Sequence, residues 1–334
     1  GSNYWINGDS NFNVGIGTTI PTNTPGVGVT AVLAVGIVSA YQFYGDGSNL
    51  TGAGGFSADA DLNLMASNTC SGCDLDGSNG CFNVLLGACA GKSIAGGNCS
   101  VFIGTYAGKD VVEAHNNVFI GANAGRCFTG ASADNNIALG FSALWGCNGD
   151  TYAKGTGDHN IAMGCLAGRG ISSGSQNIVL GQKAGCMIGA AFDNVYVGQY
   201  AGKMMCCKSN IGIGCCALHG SGTASNNNGC YNIGIGELAL GYSFTSGQSN
   251  IALGVNSGRC VSSGDHNITI GYDAGRGMTT GEENILIGRN AGADANVITG
   301  CRNTVIGEGA GGSLSSSFKN VFIGDRAGCK VSTG

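Results

Sequence analysis

Cysteine is the residue type in this chain that could do the most kinds of chemistry, and the sequence contains 17 of them. Cys70 and Cys73 form a C-x-x-C pair with Cys81 and Cys89 beyond it, a spacing that could supply four thiolates to zinc. A second cluster has these members: Cys206, Cys207, Cys215, Cys216 and His219. Three interpretations of the thiols stay open: metal ligands, disulfide staples, and small buried apolar side chains.

Disulfide candidates are the cysteines that lie close together along the chain. They are Cys70 and Cys73, and Cys206 or Cys207 paired with Cys215 or Cys216. Because 17 is odd, at least one thiol per chain is free or bonded to another chain. We expect most of the cysteines to bind no metal, so neither a metal site nor a cofactor is assigned.

Catalytic chemistry has little support from the remaining polar residues. An enzyme that cleaves polysaccharide needs two carboxylates facing one another in a groove. Glu113, Glu237 and Glu308 instead stand singly on turns. The four histidines mostly fall in loops, with no nucleophile at matching positions. We therefore expect no catalytic residues and no enzymatic activity.

The composition limits the elements that could position any of these groups. Glycine accounts for 64 of 334 residues, yet proline occurs only twice, which excludes collagen. The hydrophobic content of 43% and a net charge of −5 exclude a disordered chain and leave β-structure with many turns. No apolar run is long enough to span a membrane. The low charge also argues against nucleic-acid binding.

An internal repeat defines the fold class. The unit Asn-[Val/Ile]-x-[Ile/Leu]-Gly-x-x-Ala-Gly recurs in fourteen copies between residues 83 and 328, and its fifth-position glycines are most often 17 residues apart. This period predicts an all-β fold, a parallel β-solenoid of the β-roll type with one coil per repeat. Fourteen coils stacked about 4.8 Å apart would make a rod of roughly 65 Å.

Each repeat position has a physical interpretation. Alternation along the strand predicts that the apolar second and fourth positions face the coil interior. The fifth-position glycine indicates positive φ or a close approach of a second chain. The eighth-position alanine indicates a narrow interior corner, and the opening asparagine indicates a ladder of stacked amides. Representative repeat positions are Asn117, Ile120, Gly121, Ala124, Asn177, Leu180, Gly181, Ala184, Asn267, Ile270 and Gly271. We expect Gly181→Ala to cost more stability than Gly174→Ala, since Gly174 lies in a variable loop.

The third position carries the prediction about assembly. By alternation it should point away from the interior, yet it is uncharged in every copy and includes Phe102, Phe119, Tyr196 and Phe322. A strand that is apolar on both faces is usually covered on both. The sequence therefore predicts that these four residues form the interface of a parallel homotrimer.

Charged residues also follow the repeat. Basic residues occupy the position after the ninth residue in seven copies: Lys92, Lys109, Arg126, Arg169, Lys203, Arg259 and Arg276. Acidic residues precede the opening asparagine in five copies: Asp134, Asp158, Asp193, Asp265 and Glu283. The basic stripe could bind an acidic surface glycan, or the two stripes could neutralise one another, since stacked like charges repel.

Three regions follow one another along the chain. Residues 1–55 contain both prolines and predict a small β-structured neck or connector, in which residues 46–49 form either a β-turn or a calcium site. Residues 56–82 are a junction rich in Asp, Ser and Cys, and residues 83–334 are the solenoid repeats.

Two resemblances to known families add to this interpretation. The coils, for example residues 136–140 (Asn-Ile-Ala-Leu-Gly) and 160–164 (Asn-Ile-Ala-Met-Gly), look like the head repeats of trimeric autotransporter adhesins. That resemblance implies left-handed parallel β-rolls assembled as trimers. Residues 13–19 (Asn-Val-Gly-Ile-Gly-Thr-Thr) and 43–52 (Phe-Tyr-Gly-Asp-Gly-Ser-Asn-Leu-Thr-Gly) resemble a module of tail-fibre proteins of marine tailed phages, cyanophages especially.

The two resemblances together imply a virion fibre, an extracellular appendage that supports host attachment. Its implied partners are further copies of itself, other fibre or baseplate proteins and a host surface glycan, with neither nucleic acid nor membrane insertion. The alternatives are a bacterial surface adhesin of the trimeric autotransporter type and a polysaccharide-degrading tailspike.

Overall fold

The computed structural model describes residues 6–8, 14–16, 56–59, 61–66, 70–75, 80–113, 115–129, 133–146, 155–222, 227–241, 246–293 and 297–331. The chain divides into two units, residues 1–53 and 54–334. In the first unit, β1 (Ile6–Gly8) and β2 (Val14–Ile16) pair antiparallel. The remainder of the predicted connector, including the turn at residues 46–49, lies outside the described residues.

The second unit is built from strands of three residues each, and every coil contributes one of them. They are β3 (Phe56–Ala58), β4 (Leu64–Ala66), β5 (Val84–Leu86), β6 (Val101–Ile103), β7 (Val118–Ile120), β8 (Ile137–Leu139), β9 (Ile161–Met163), β10 (Ile178–Leu180), β11 (Val195–Val197), β12 (Ile211–Ile213), β13 (Ile233–Ile235), β14 (Ile251–Leu253), β15 (Ile268–Ile270), β16 (Ile285–Ile287), β17 (Thr304–Ile306) and β18 (Val321–Ile323).

These strands form a single 16-stranded sheet in sequence order. β3 pairs antiparallel with β4, and all strands from β4 to β18 are parallel, with equivalent repeat positions aligned, such as Val118 with Ile137. The predicted all-β parallel solenoid of about fourteen coils is thereby confirmed. The sheet also takes in β4, which lies ahead of the first glycine-containing repeat.

Turns close each coil and bring the chain back to the start of the next strand. Three positions of each repeat have φ between +48° and +64°. They are the residue before the opening asparagine, the seventh residue and the ninth residue, and they include side chains as large as Phe82, Tyr200 and Leu218, respectively. This left-handed conformation costs a non-glycine residue about 1–2 kcal/mol. Hydrogen bonds between coils stabilise the corners, as where Tyr200 N–H donates to the carbonyl of Gln182 at 3.0 Å.

The fifth-position glycine is required for two reasons that act together. Gly181 has a φ of +128°, and a Cβ built on it would lie 2.8 Å from the backbone carbonyl of Gly198 in the next coil. The close neighbour is therefore the next coil of the same chain. Gly174, expected to tolerate a side chain, is equally confined, because its Cβ would overlap the carbonyl oxygen of Ala191.

The opening asparagines form a buried ladder along the sheet edge. Asn177 N–H donates to Asn160 Oδ1 at 3.1 Å, and Asn177 Nδ2 donates to the same oxygen at 3.0 Å and to the Ala191 carbonyl at 2.8 Å. Equivalent bonds connect Asn63 through to Asn320. Most of these amides therefore bond to the coil before them and to the turn of the coil after them, which holds the strands in register.

The third position lies in the coil interior, and the sequence prediction for it was wrong. Phe102, Phe119 and Tyr196 are 0% exposed within a single chain, and Phe322 packs against the same core. The rings of Phe102 and Phe119 stack with centroids 5.0 Å apart. These four residues are core residues and not interface residues. Alternation placed the third position opposite the second and fourth correctly, but it could not decide which set faces inward.

Two other positions complete the core. One is the eighth-position alanine. The other lies seven residues after the fifth-position glycine and is usually an aliphatic residue, methionine or phenylalanine; Val111, Phe128 and Ile171 are examples, each 0% exposed. In three copies the ninth residue is Leu144, Leu218 or Leu240 and not glycine, and all three are buried. The third position of those copies is Ala138, Gly212 or Gly234, so a large ninth residue accompanies a small third residue.

No helix among the described residues is long and apolar enough to cross a membrane.

Candidate functional site

The strand side chains opposite the core form a continuous outer face. This aliphatic face consists of the second and fourth residues of β5–β18, of which the second is Val or Ile except at Thr304 and the fourth is Ile, Leu, Val or Met. Several members are substantially exposed, among them Met163 at 42%, Ile213 at 38% and Ile235 at 39%. The aliphatic face contains no charged residue.

The size of this face is that of the largest apolar patches on soluble proteins. Fourteen strands spaced about 4.8 Å apart, with two side chains per strand about 7 Å apart, give a strip of roughly 400–500 Å². The largest apolar patch on a typical monomer is about 300–600 Å², and such a patch is often an interaction site.

A second surface lies on the turns and consists of cations stacked on aromatic rings. We call it the cation ridge; its cations are Lys109, Arg126, Arg169, Lys183 and Lys203, and its rings are Tyr106, Trp145 and Tyr200. Each ring lies between two cations. Tyr106 contacts Lys109 and Arg126 at 5.3 and 5.5 Å, and Tyr200 contacts Lys183 and Lys203 at 5.2 and 5.4 Å from the ring centroid.

Trp145 connects two arginines in the middle of the cation ridge. The Arg126 and Arg169 guanidinium carbons lie 5.7 and 5.1 Å from its ring. Trp145 occupies the repeat position at which neighbouring coils carry the basic residue, so the aromatic ring separates two like charges along the stack. Cation–π contacts of this kind contribute about 0.5–1 kcal/mol each at exposed sites.

The two halves of the cation ridge meet at Cys186, which is only 5% exposed. Burial raises the pKa of the Cys186 thiol, while the nearby positive charges of Arg169, Lys203 and Lys183 lower it. Cys186 occupies the coil position of Arg169 and Lys203 in the neighbouring coils, so stacking places it between these two cations. Among the described residues, Arg169, Lys183 and Lys203 form no ion pair with a carboxylate.

The two charged stripes of the sequence do not neutralise one another in the pairs that can be traced. Arg126 lies 3.5 Å from Asp110, and Arg276 lies 3.2 Å from Asp273, carboxylates that belong to neither stripe. Asp134 and Asp265 instead accept backbone N–H bonds from the preceding coil, each at 2.7 Å. Asp134 and Asp265 of the acidic stripe therefore cap coil edges, while four members of the basic stripe, Lys109, Arg126, Arg169 and Lys203, lie against aromatic rings.

The disulfides differ in part from the sequence prediction. Cys70 and Cys73 are bonded to one another. Cys207 is bonded to Cys230, and not to Cys215 or Cys216 as predicted. Cys207 and Cys230 each precede the opening asparagine of consecutive coils, so stacking brings them together, whereas the other two follow Gly214 beyond the strand.

The remaining cysteines of the predicted cluster are thiols. The Sγ atoms of Cys215 and Cys216 are 3.6 Å apart without a bond, and Cys206 Sγ lies 3.6 Å from the Met187 carbonyl oxygen. Burial and the adjacent Cys215 thiol raise the pKa of Cys216 to about 11. Within the part of the chain that the structure describes, no three His, Cys, Asp or Glu residues are arranged to hold a metal ion.

A surface depression of about 450 Å³ brings Glu282 and Glu283 beside Arg302 and Lys319. Arg302 Nε donates to Glu283 Oε2 at 2.9 Å, and this contact lowers the pKa of the Glu283 carboxyl. Glu283 is therefore held as a carboxylate in an ion pair with Arg302.

Comparison with known proteins gives no further constraint: no protein-family model matches the chain, and neither a curated protein nor a solved structure is similar to it at a significant level.

Proposed function

We propose that this chain is a structural fibre protein of a virion, an extracellular appendage that assembles as a parallel homotrimer and supports host attachment. The observation that carries the proposal is the aliphatic face, which continues without a charge along fourteen strands. The fold is compatible with a fibre or an adhesin, and the tail-fibre resemblance of residues 13–19 and 43–52 favours the fibre.

The aliphatic face needs a cover that matches it in length and in repeat. Another copy of the same solenoid has the same roughly 4.8 Å spacing between coils and presents the same aliphatic row. The interface residues are accordingly the second and fourth strand positions, in place of the third-position residues that sequence alternation suggested. Three copies follow from the resemblance to trimeric adhesin heads.

A structural fibre is also consistent with the way the coils are held together. The described residues use their buried polar groups in the asparagine ladder and in backbone bonds between coils. Partners at the two ends would be other fibre or baseplate proteins, which continue a rod by stacking.

Light scattering in native buffer tests the assembly. We expect a mass about three times that of one chain. Ile213→Asp places a charge in the aliphatic face and should reduce the mass to that of a single folded chain, because burying an unpaired carboxylate in an apolar interface is costly. Gln199→Asp is the matched control, since Gln199 is exposed on a neighbouring turn, and it should leave the mass unchanged.

A native chain that stays monomeric at micromolar concentration would refute the homotrimer. Assembly that survives Ile213→Asp and Ile235→Asp together would show that another surface forms the interface. Release of reducing sugar ends from a host polysaccharide would favour the tailspike alternative over a purely structural fibre.

A further inference from the structure

We propose that the cation ridge binds an acidic polysaccharide, with the chain of the sugar polymer lying along the stack of coils. This proposal deepens the fibre function by naming the class of its ligand, and it rests on that function for its biological setting. The contacts that support it all belong to the turn side of the coil and not to the aliphatic face.

The charge distribution along the chain singles out this region. Residues 159–236 hold Arg169, Lys183 and Lys203 but not the Tyr106–Arg126 end of the ridge, and they contain four Lys and Arg residues and a single acidic residue, Asp193, in a protein whose net charge is −5. Asp193 directly precedes the opening asparagine Asn194, at the start of β11, whereas Lys183 lies on the turn after β10 and Lys203 on the turn after β11. A local excess of positive charge on an acidic protein indicates a surface for an anionic partner.

The cations of the ridge are held in place before any ligand arrives. Contacts with Tyr106, Trp145 and Tyr200 fix the cations along the ridge, and Lys183 Nζ also donates to the Tyr200 hydroxyl at 3.4 Å. Such preorganisation reduces the side-chain entropy that binding would otherwise cost. Because adjacent coils repeat about every 4.8 Å, the ridge from Tyr106 to Lys203 presents a straight row of charge roughly 25–30 Å long.

The polar groups of the central part of the ridge are mostly donors. Lys183, Lys203 and Arg169 offer N–H groups, and the buried Trp145 Nε1 and Arg169 Nε find no hydrogen-bond partner among the described residues. Asp110 is the carboxylate paired with Arg126 at the end nearer Tyr106. A ligand rich in carboxylate or sulfate oxygens, which are acceptors, complements this surface.

The geometry favours a polysaccharide over a single-stranded nucleic acid. Proteins that hold single strands stack the bases on open aromatic faces. Each of the three rings in the ridge already contacts two cations, so base stacking would have to displace them. A polymer that presents charge without a flat aromatic base needs no such rearrangement.

The test is binding of the full-length chain to alginate, which carries carboxylates, and to dextran sulfate, with neutral dextran and oligo-dT as comparison ligands. We expect binding to one or both acidic polymers, weakening as salt rises, and none to neutral dextran. Arg169→Gln/Lys183→Gln/Lys203→Gln should weaken binding about tenfold or more, because the variant loses three exposed ion pairs with the polymer, and each such pair makes a small contribution to affinity.

The control variant is Arg289→Gln/Arg302→Gln/Lys319→Gln, which removes the same number of charges from the last coils and should bind like the native chain. If the first variant proves unstable, Lys183→Gln/Lys203→Gln leaves the Trp145–Arg169 contact intact and should still weaken binding. Alginate and dextran sulfate distinguish carboxylated from sulfated glycans.

Equal binding by the ridge variant and the native chain, or no binding to either acidic polymer, would overturn the proposal. Tighter binding of oligo-dT that the same substitutions abolish would replace the glycan by nucleic acid. Light scattering on the same samples separates the two proposals, because a trimer that binds no glycan refutes only the ridge, and a monomer that binds refutes only the assembly.

Discussion

Leu218 occupies the interior space that Gly234 leaves empty in the next coil. A Cβ built on Gly234 would lie 3.2 Å from Leu218 Cγ, and one built on Gly212 would lie 3.5 Å from Leu218 Cβ. A single leucine thus compensates for two consecutive strands that have no side chain at the core position. Leu144 also reaches the next coil, where a Cβ built on Gly168 would lie 3.0 Å from Leu144 Cδ2.

This compensation predicts the effect of removing the leucine. Leu218→Ala should lower the free energy of unfolding by about 2–5 kcal/mol, because it leaves a cavity that no neighbouring side chain fills. Hydrogen exchange should accelerate in the coils around residues 195–240 and stay unchanged at the two ends, since solenoid coils contact only their neighbours. The exposed Leu62 is a suitable control, and Leu62→Ala should have little effect.

The one break in the asparagine ladder predicts a stabilising substitution. Ser100 replaces the amide in its coil, and Asn117 Nδ2 is buried without a partner among the described residues. Ser100→Asn should supply the missing Oδ1 acceptor and raise the free energy of unfolding by about 1 kcal/mol. Thermal unfolding measures the change.

The reverse substitution provides the comparison for the ladder. Asn177→Ser should destabilise the protein by about 1–3 kcal/mol, because Asn194 Nδ2 would lose the acceptor it now reaches at 2.9 Å. A lower melting temperature for Ser100→Asn would mean that the coil at Ser100 has no room for an amide.

The fifth-position glycine can be tested against a glycine that also has positive φ but has open space around it. Gly181→Ala and Gly189→Ala both place a side chain at positive φ, yet a Cβ on Gly189 would meet nothing within 4 Å. The φ of +61° at Gly189 is left-handed α and should cost an alanine about 1 kcal/mol, whereas the φ of +128° at Gly181 lies outside that region and should cost more. The Cβ of Gly181→Ala would also meet the Gly198 carbonyl. Chemical denaturation measures both losses, and equal losses would contradict a special requirement for glycine at the fifth position.

The repeat itself determined most of the fold. The spacing of Gly121, Gly140, Gly164 and the other fifth-position glycines predicted one coil per repeat, because a backbone that must stack on itself every coil tolerates no side chain at that corner. The buried position of Asn177 likewise follows from its recurrence, since stacked amides satisfy one another's hydrogen bonds.

The direction of the core was decided only by the tertiary structure. Phe119 and its neighbours Val118 and Ile120 are all apolar, so alternation alone allowed either face to point inward. The turns settle the question, because they carry the chain back over the third position and place Ala124 and Phe128 against it. The co-occurrence of Leu218 with Gly212 was the signal in the sequence that could have revealed this packing.

The Cys207–Cys230 disulfide and the cation ridge could likewise be found only from the way the coils stack. Cys230 meets Cys207 because both precede the opening asparagine of stacked coils, whereas sequence proximity favoured the wrong partners. Trp145 separates Arg126 from Arg169 because consecutive coils stack equivalent positions about 4.8 Å apart. Sequence by itself determined the repeat and its register along the chain, whereas the path of the turns decided which side chains are buried, which are exposed and which meet.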